Sequence, residues 1–181
     1  MTLEAGPEGA LPVSLRWVVK AEDLPEAVAV KDGVVYIAAD ILYAFRLSDG
    51  TEIWTAHPPD GYALGGSGGV EIGARGADEV RAWAPYEYDI TVKQSDGQVV
   101  QFSRGVGNDA PAGLKPFSVP EPQRFTIELD LEHILARNPD GSVAWQITVD
   151  TPMGDELPPI AVPGGVVITP SSGHVLMLDY H

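Results

Sequence analysis

Apolar and polar residues alternate along this chain in short blocks of strand length. The clearest run is Val28 to Trp54, VAVKDGVVYIAADILYAFRLSDGTEIW. Val28–Val30 is a brief apolar run stopped by Lys31-Asp32-Gly33. Asp-Gly predicts a tight hairpin, because Gly accepts positive φ and Asp tolerates it. Val34–Ala38 is β-branched and aromatic, as suits a buried pleated strand. Ala39-Asp40 predicts the next turn and Ile41–Leu47 the next strand. Ser48-Asp49-Gly50 turns again into an outer strand, Thr51–Thr55. The runs are apolar on both faces, which fits sheets covered on two sides.

Fainter copies of this unit fill the rest of the chain. Val70–Pro85 predicts two alternating strands around Arg75–Asp78, and Tyr86–Val92 a third. Gln94–Gly97 turns into Gln98–Ser103. In Arg124–Trp145 the first strand sets Phe125, Ile127, Leu129 and Leu131 against Thr126, Glu128, Asp130 and Glu132. Ile160–His181 repeats the inner strands and stops without an outer one, whereas Leu15–Val19, around Trp17, reads as an outer strand without inner ones. The two are predicted to pair, Leu15–Val19 with Val175–Asp179, because an open sheet edge invites aggregation. The expected organisation is a flexible lead-in over residues 1–12 and one all-β domain over 13–181. Its repeats fall near 28–56, 62–93, 98–148 and 157–181, the last completed by 13–20. Two loops stand out, Ala56–Gly69 and Arg104–Pro122. The Gly65–Gly69 cluster lacks the lysine and the helix of a phosphate loop, so it reads as a turn.

Gly33-Val34-Val35-Tyr36-Ile37, then Leu42-Tyr43-Ala44-Phe45, then Asp49-Gly50 and Trp54, resemble one blade of the quinoprotein-like (PQQ-like repeat) β-propeller. Ile134–Arg137 with Asp140-Gly141 and Trp145 resembles the same unit, as do Gly165–Ile168 and Val175–Asp179. Ala39 and Arg46 depart from the family's glycine and aspartate. The resemblance implies a β-propeller-like array of about four antiparallel blades, with Trp17, Trp54 and Trp145 as structural anchors between blades. Trp83 stands elsewhere in its repeat, a candidate for exposure. The resemblance also implies one of three roles. The leading one is a non-catalytic binding or scaffolding module that holds a protein or peptide through rim loops; relatives of that kind include a lipoprotein that assists outer-membrane protein assembly. The second is a fragment or subunit of a quinone-dependent dehydrogenase that binds pyrroloquinoline quinone (PQQ) and calcium. The third is a subunit completed into a ring by a second copy.

Charge and chemistry narrow these roles. The formal net charge of −15 argues against nucleic-acid backbones and anionic membranes, which need basic patches. With no cysteine, disulfides, thiolate metal sites and cysteine nucleophiles are absent. That also removes the vicinal disulfide that flanks the quinone in the dehydrogenases. Glu128, Asp130 and Glu132 share one strand face beside His133 and are the metal candidates, with oxygen ligands suited to calcium. The competing reading is a solvated outer face whose charges discourage edge pairing. His57, His133, His174 and His181 are dispersed and have no metal spacing. No catalytic residue and no cofactor is expected from the residues themselves. No stretch reaches the length of a membrane span, and Met1–Trp17 has no basic and apolar leader. The compartment stays open between the cytoplasm and, for a trimmed chain, an extracytoplasmic site.

Overall fold

The computed structural model describes residues 13–64, 70–117, 125–129, 133–148, 157–170 and 173–181. The fold is all-β, with four antiparallel sheets and, among the described residues, one short 3₁₀ turn at Pro59–Gly61. The chain divides into two compact units: a central one, Ala21–Val119, and a terminal one formed by the segments on either side of it.

The terminal unit begins with β1 (Val13–Lys20). The central unit opens with β2 (Ala27–Lys31), β3 (Val34–Ala38), β4 (Leu42–Arg46) and β5 (Glu52–Ala56), hydrogen-bonded in that order as a meander. The hairpin between β2 and β3 needs two residues at positive φ, and Asp32 (49°) with Gly33 (78°) supply them. Between β4 and β5, Asp49 Oδ1 accepts the Thr51 N–H at 2.9 Å, which lets Gly50 turn the chain at φ 70°. β3 is buried on both faces, as its unbroken apolar run requires.

The second sheet holds β6 (Glu71–Ala74), β7 (Glu79–Ala84), β8 (Tyr88–Lys93), β9 (Val99–Arg104) and β10 (Lys115–Pro116), in the order β10-β6-β7-β8-β9. Here the repeat boundary differs from the expected one. The segment taken to open the third repeat, Gln98–Ser103, forms β9 and completes the second sheet. Asp96 explains why: its Oδ1 caps the Gln98 N–H at 3.0 Å, with Gly97 at φ 70°, the same turn as Asp49-Gly50. β10 lies inside the long segment read as irregular. One apolar core joins the two sheets, including Tyr36, Leu42, Trp54, Leu64, Tyr88 and Ile90.

The terminal unit continues with β11 (Thr126–Leu129), β12 (His133–Arg137) and β13 (Val143–Thr148), which form the third sheet. The fourth sheet is β14 (Leu157–Val162), β15 (Gly165–Thr169) and β16 (His174–Tyr180), with β1 added antiparallel to β16. Leu15 faces Leu178 and Val19 faces Val175, the pairing expected from the two incomplete repeats. Arg16 Nε reaches Asp179 Oδ2 at 2.9 Å across the same seam. A second apolar core holds Val13, Phe125, Ile134, Trp145, Val166 and Leu178.

Candidate functional site

The pairing registers decide which loops share an end of the central unit. Ala27, Ala38, Leu42 and Ala56 line up at one end of the first sheet. Glu71, Ala84, Tyr88 and Arg104 line up at one end of the second. These two ends are tied together. Arg104 lies 3.6 Å from Asp60, and its guanidinium carbon sits 4.7 Å from the Tyr62 ring centre and 5.8 Å from that of Phe102. Tyr62 and Phe102 meet with ring centres 5.4 Å apart. The two loops singled out in the sequence, after Ala56 and after Arg104, therefore converge here. Both charged side chains are half exposed or more, so the ion pair itself contributes about 0–1 kcal/mol and the aromatic shelf about as much again. The contacts position the loops more than they stabilise the unit.

Each loop has its own anchor. Leu64 is fully buried, and its N–H donates to the Asp40 carbonyl at 2.6 Å. The second loop leaves the outer strand β9, where the Gly105 N–H donates to the Glu87 carbonyl at 2.8 Å. It crosses to the far edge, pairs with β6 as β10, and sets Phe117 against Tyr36 with ring centres 5.5 Å apart. Between these anchors the tip of the β7–β8 hairpin carries Tyr86, 68% exposed and held at φ 63°. Positive φ is unfavourable for an aromatic residue, and its persistence requires support. The Tyr86 N–H points at the Gly107 carbonyl of the converging loop, 3.5 Å away.

The electrostatics of this end are set by carboxylates and tyrosines. Burial pushes the Tyr43 hydroxyl up to about 12. The Glu22 N–H, 3.2 Å from its oxygen, works the other way, and Asp40 accepts its proton at 2.9 Å. Tyr88 is fully buried, and its hydroxyl finds no hydrogen-bond partner among the described residues. Burial raises its pKa strongly, and the charges of Glu26 and Glu87 raise it further.

The opposite face of the second sheet is polar, with Arg81, Asp89 and Thr91 buried and Arg75 and Gln101 half-buried. Arg81 and Asp89, both nearly buried, form a bidentate pair: Nε donates to Oδ1 at 2.6 Å and Nη2 to Oδ2. Arg75 Nη1 donates to Gln101 Oε1 at 2.6 Å and, at 3.4 Å, to Thr91 Oγ1.

The candidates from the sequence are scattered through the fold. Trp54 is buried against the second sheet, with Nε1 donating to the Gln94 carbonyl at 2.8 Å and the ring over Gly97. Trp145 packs between Phe125 and Tyr180, both ring centres 6.3 Å away. Trp17 is buried in β1. Trp83, a candidate for exposure, is buried: it alternates onto the same polar face as Arg81. Glu128 is exposed and accepts from Arg137 Nε at 2.7 Å. Asp130 and Glu132 lie outside the described residues, as do residues 1–12, Gly65–Gly69, Ser171 and Ser172. Among the described residues, no group of three or more His, Asp or Glu side chains gathers as a metal site. Sequence reasoning missed Tyr86 and the Tyr62–Arg104–Phe102 shelf. An aromatic residue at the tip of a predicted hairpin, Pro85-Tyr86-Glu87, was the available signal for the first.

No protein-family model matches the chain, and no curated protein matches it. Solved structures similar to it include BamB from Moraxella catarrhalis, with TM-score 0.34, 12% identity, 87% of this chain covered and 44% of that one. The computationally designed Ika8 protein is similar at TM-score 0.33 and 11% identity, with 86% of this chain covered and 57% of that one. The chain thus spans about half the length of these structures.

Proposed function

We propose that the chain is a non-catalytic binding module of the PQQ-like β-propeller repeat class, holding a protein partner at the loop end of its central unit. One observation carries the reading. Two separate loops, after Ala56 and after Arg104, converge on the Asp60–Tyr62–Phe102–Arg104 shelf beside an exposed Tyr86. Large aromatics and arginine are the side chains that dominate protein interfaces, because they bury much area at little conformational cost. Rigid sheets with loops gathered at one end are a common way to present such a surface. The repeat-class assignment is supported by the capped Asp-Gly turns, by tryptophans at the same offset from them, and by β1 completing the fourth sheet.

The test is site-specific photocrosslinking. A benzophenone side chain placed at Tyr86 yields defined protein adducts in native extract. The same probe at exposed Asp78, at the other end of the second sheet, does not. Equal adducts from both positions, or none from Tyr86, would sink this reading.

A further inference from the structure

β1 has its seat in one unit and its root in the other. It pairs with β16 from Val13 opposite Tyr180 to Lys20 opposite His174. Arg16 Nε reaches Asp179, the Ser14 hydroxyl meets the His181 ring at 2.8 Å, and Val13 lies in the apolar core with Phe125, Trp145 and Leu178. These contacts all lie in the terminal unit, whereas the chain from Ala21 onward belongs to the central one. There the Glu22 N–H donates to the Tyr43 hydroxyl at 3.2 Å and the Glu26 N–H to the Ala38 carbonyl at 2.8 Å. Ala21 alone separates the end of β1 from the first of these bonds. The tether is also stiff. Pro25 has a fixed φ and biases Leu24 to extended backbone, and Asp23 Oδ1 accepts the Leu24 N–H at 2.8 Å. β1 is thus an arm. Without it β16 becomes a sheet edge with Val175, Leu176, Met177 and Leu178 in a row, and such an apolar edge recruits another strand. The seat must be filled, and its contacts do not depend on which copy supplies the strand.

We propose that two copies of this chain exchange β1 reciprocally, the arm of each completing the fourth sheet of the other. The exchange keeps every pair of the seam, so a closed two-fold dimer and the single chain hold the same β1 contacts and differ in the path taken at Ala21. The short, stiff tether favours the dimer, because an arm that cannot fold back freely has a low effective concentration at its own seat. The inference stands apart from the partner reading above, since β1 and β16 belong to the other unit from Tyr86 and its shelf.

The chain has no cysteine, so introduced ones report on the seam without interference. Full-length Lys20→Cys and full-length His174→Cys are mixed, unfolded, refolded together and oxidised. The two positions face each other in the seam. Their mixed disulfide is expected to form about tenfold or more faster than that of Lys20→Cys with Val143→Cys, an exposed position on β13. Light scattering on the parent gives twice the chain mass. A flexible Gly-Ser insert of about eight residues between Lys20 and Ala21 lets the arm fold back and raises the dimer's dissociation constant about tenfold or more. Thermal melts show that each variant folds. A parent that is monomeric over the whole dilution series overturns the proposal. So does a dimer whose mixed disulfide forms no faster than the Val143→Cys control, or whose dissociation constant ignores the insert, because either result places the contact between copies on another surface.

Discussion

The first and second sheets of the central unit share a turn and differ in the strand that the turn leads into. Asp49-Gly50 and Asp96-Gly97 are capped alike, each aspartate accepting the N–H two residues on. Five residues after the aspartate the first sheet has Trp54 and the second has Gln101. Trp54 buries its ring over Gly97 and donates to the Gln94 carbonyl, so one side chain carries both area and a hydrogen bond across to the neighbouring sheet. Gln101 instead accepts from Arg75, on a face that also holds the Arg81–Asp89 pair. Fully burying a large apolar side chain contributes about 1.5–3 kcal/mol, more for an indole, whereas a hydrogen bond nets about 0.5–1.5. The same backbone slot thus serves as a strong, non-directional anchor in one sheet and as part of a weaker, directional network in the next. The repeat lies in the turn and the strand order, and the side chain in the slot is free to change.

The largest expected effect is at the tryptophan. Trp54→Ala should cost about 3–5 kcal/mol in urea unfolding, and Trp145→Ala a similar amount, as for other buried aromatics, while Gln101→Ala should cost about 1. A loss below about 1 kcal/mol for Trp54→Ala would show that the ring is not an anchor and would erase the contrast. Trp145 sharpens it, because its Nε1 meets no hydrogen-bond partner among the described residues, unlike that of Trp54.

Gly97→Ala approaches the same contact from the other side. A Cβ at this position would lie 2.7 Å from Trp54 Cε3, and φ is 70°. The expected loss is about 1–3 kcal/mol, from overpacking and left-handed strain together. In a Trp54→Ala background it should shrink to the strain alone, and an unchanged loss there would separate Gly97 from the tryptophan.

The smallest effect concerns the shared turn. The Thr51 N–H, then its hydroxyl, then Arg46, hold the Asp49 carboxyl below its ordinary value. A depressed folded-state pKa gives stability that is present above the unfolded value and lost as pH falls through the folded one. Asp49→Asn should therefore flatten the acid limb of the stability curve below about pH 4, its small loss appearing at neutral pH and vanishing in acid, where the parent's carboxyl is itself protonated. A parent curve with no slope there would remove the carboxylate from the turn's stability.

Much of the first and fourth sheets was legible because local chemistry suffices for them. Asp32-Gly33 permits a two-residue hairpin and little else, and the apolar run Val34–Ala38 needs cover on both faces. The pairing of Leu15–Val19 with Val175–Asp179 was legible because each segment lacked what the other supplies. The second sheet was harder to read. Without a tryptophan at Gln101, β9 looked like the start of the next repeat, and Trp83 looked exposed because alternation assigns a face without saying what covers it. The metal reading rested on Glu128, Asp130 and Glu132 sharing a face, which spacing alone can suggest. Glu128 proves to be held by Arg137, nine residues away in sequence.

Strand lengths, turn sites and repeat offsets were thus determined by the sequence itself, since they depend on φ preferences and on side-chain period over a few residues. The convergence of Asp60, Tyr62, Phe102 and Arg104 and the burial of the Arg81–Asp89 pair were decided by the tertiary structure. Each joins residues from different strands or loops, and such meetings are set by sheet register and loop path, which no short window of sequence contains.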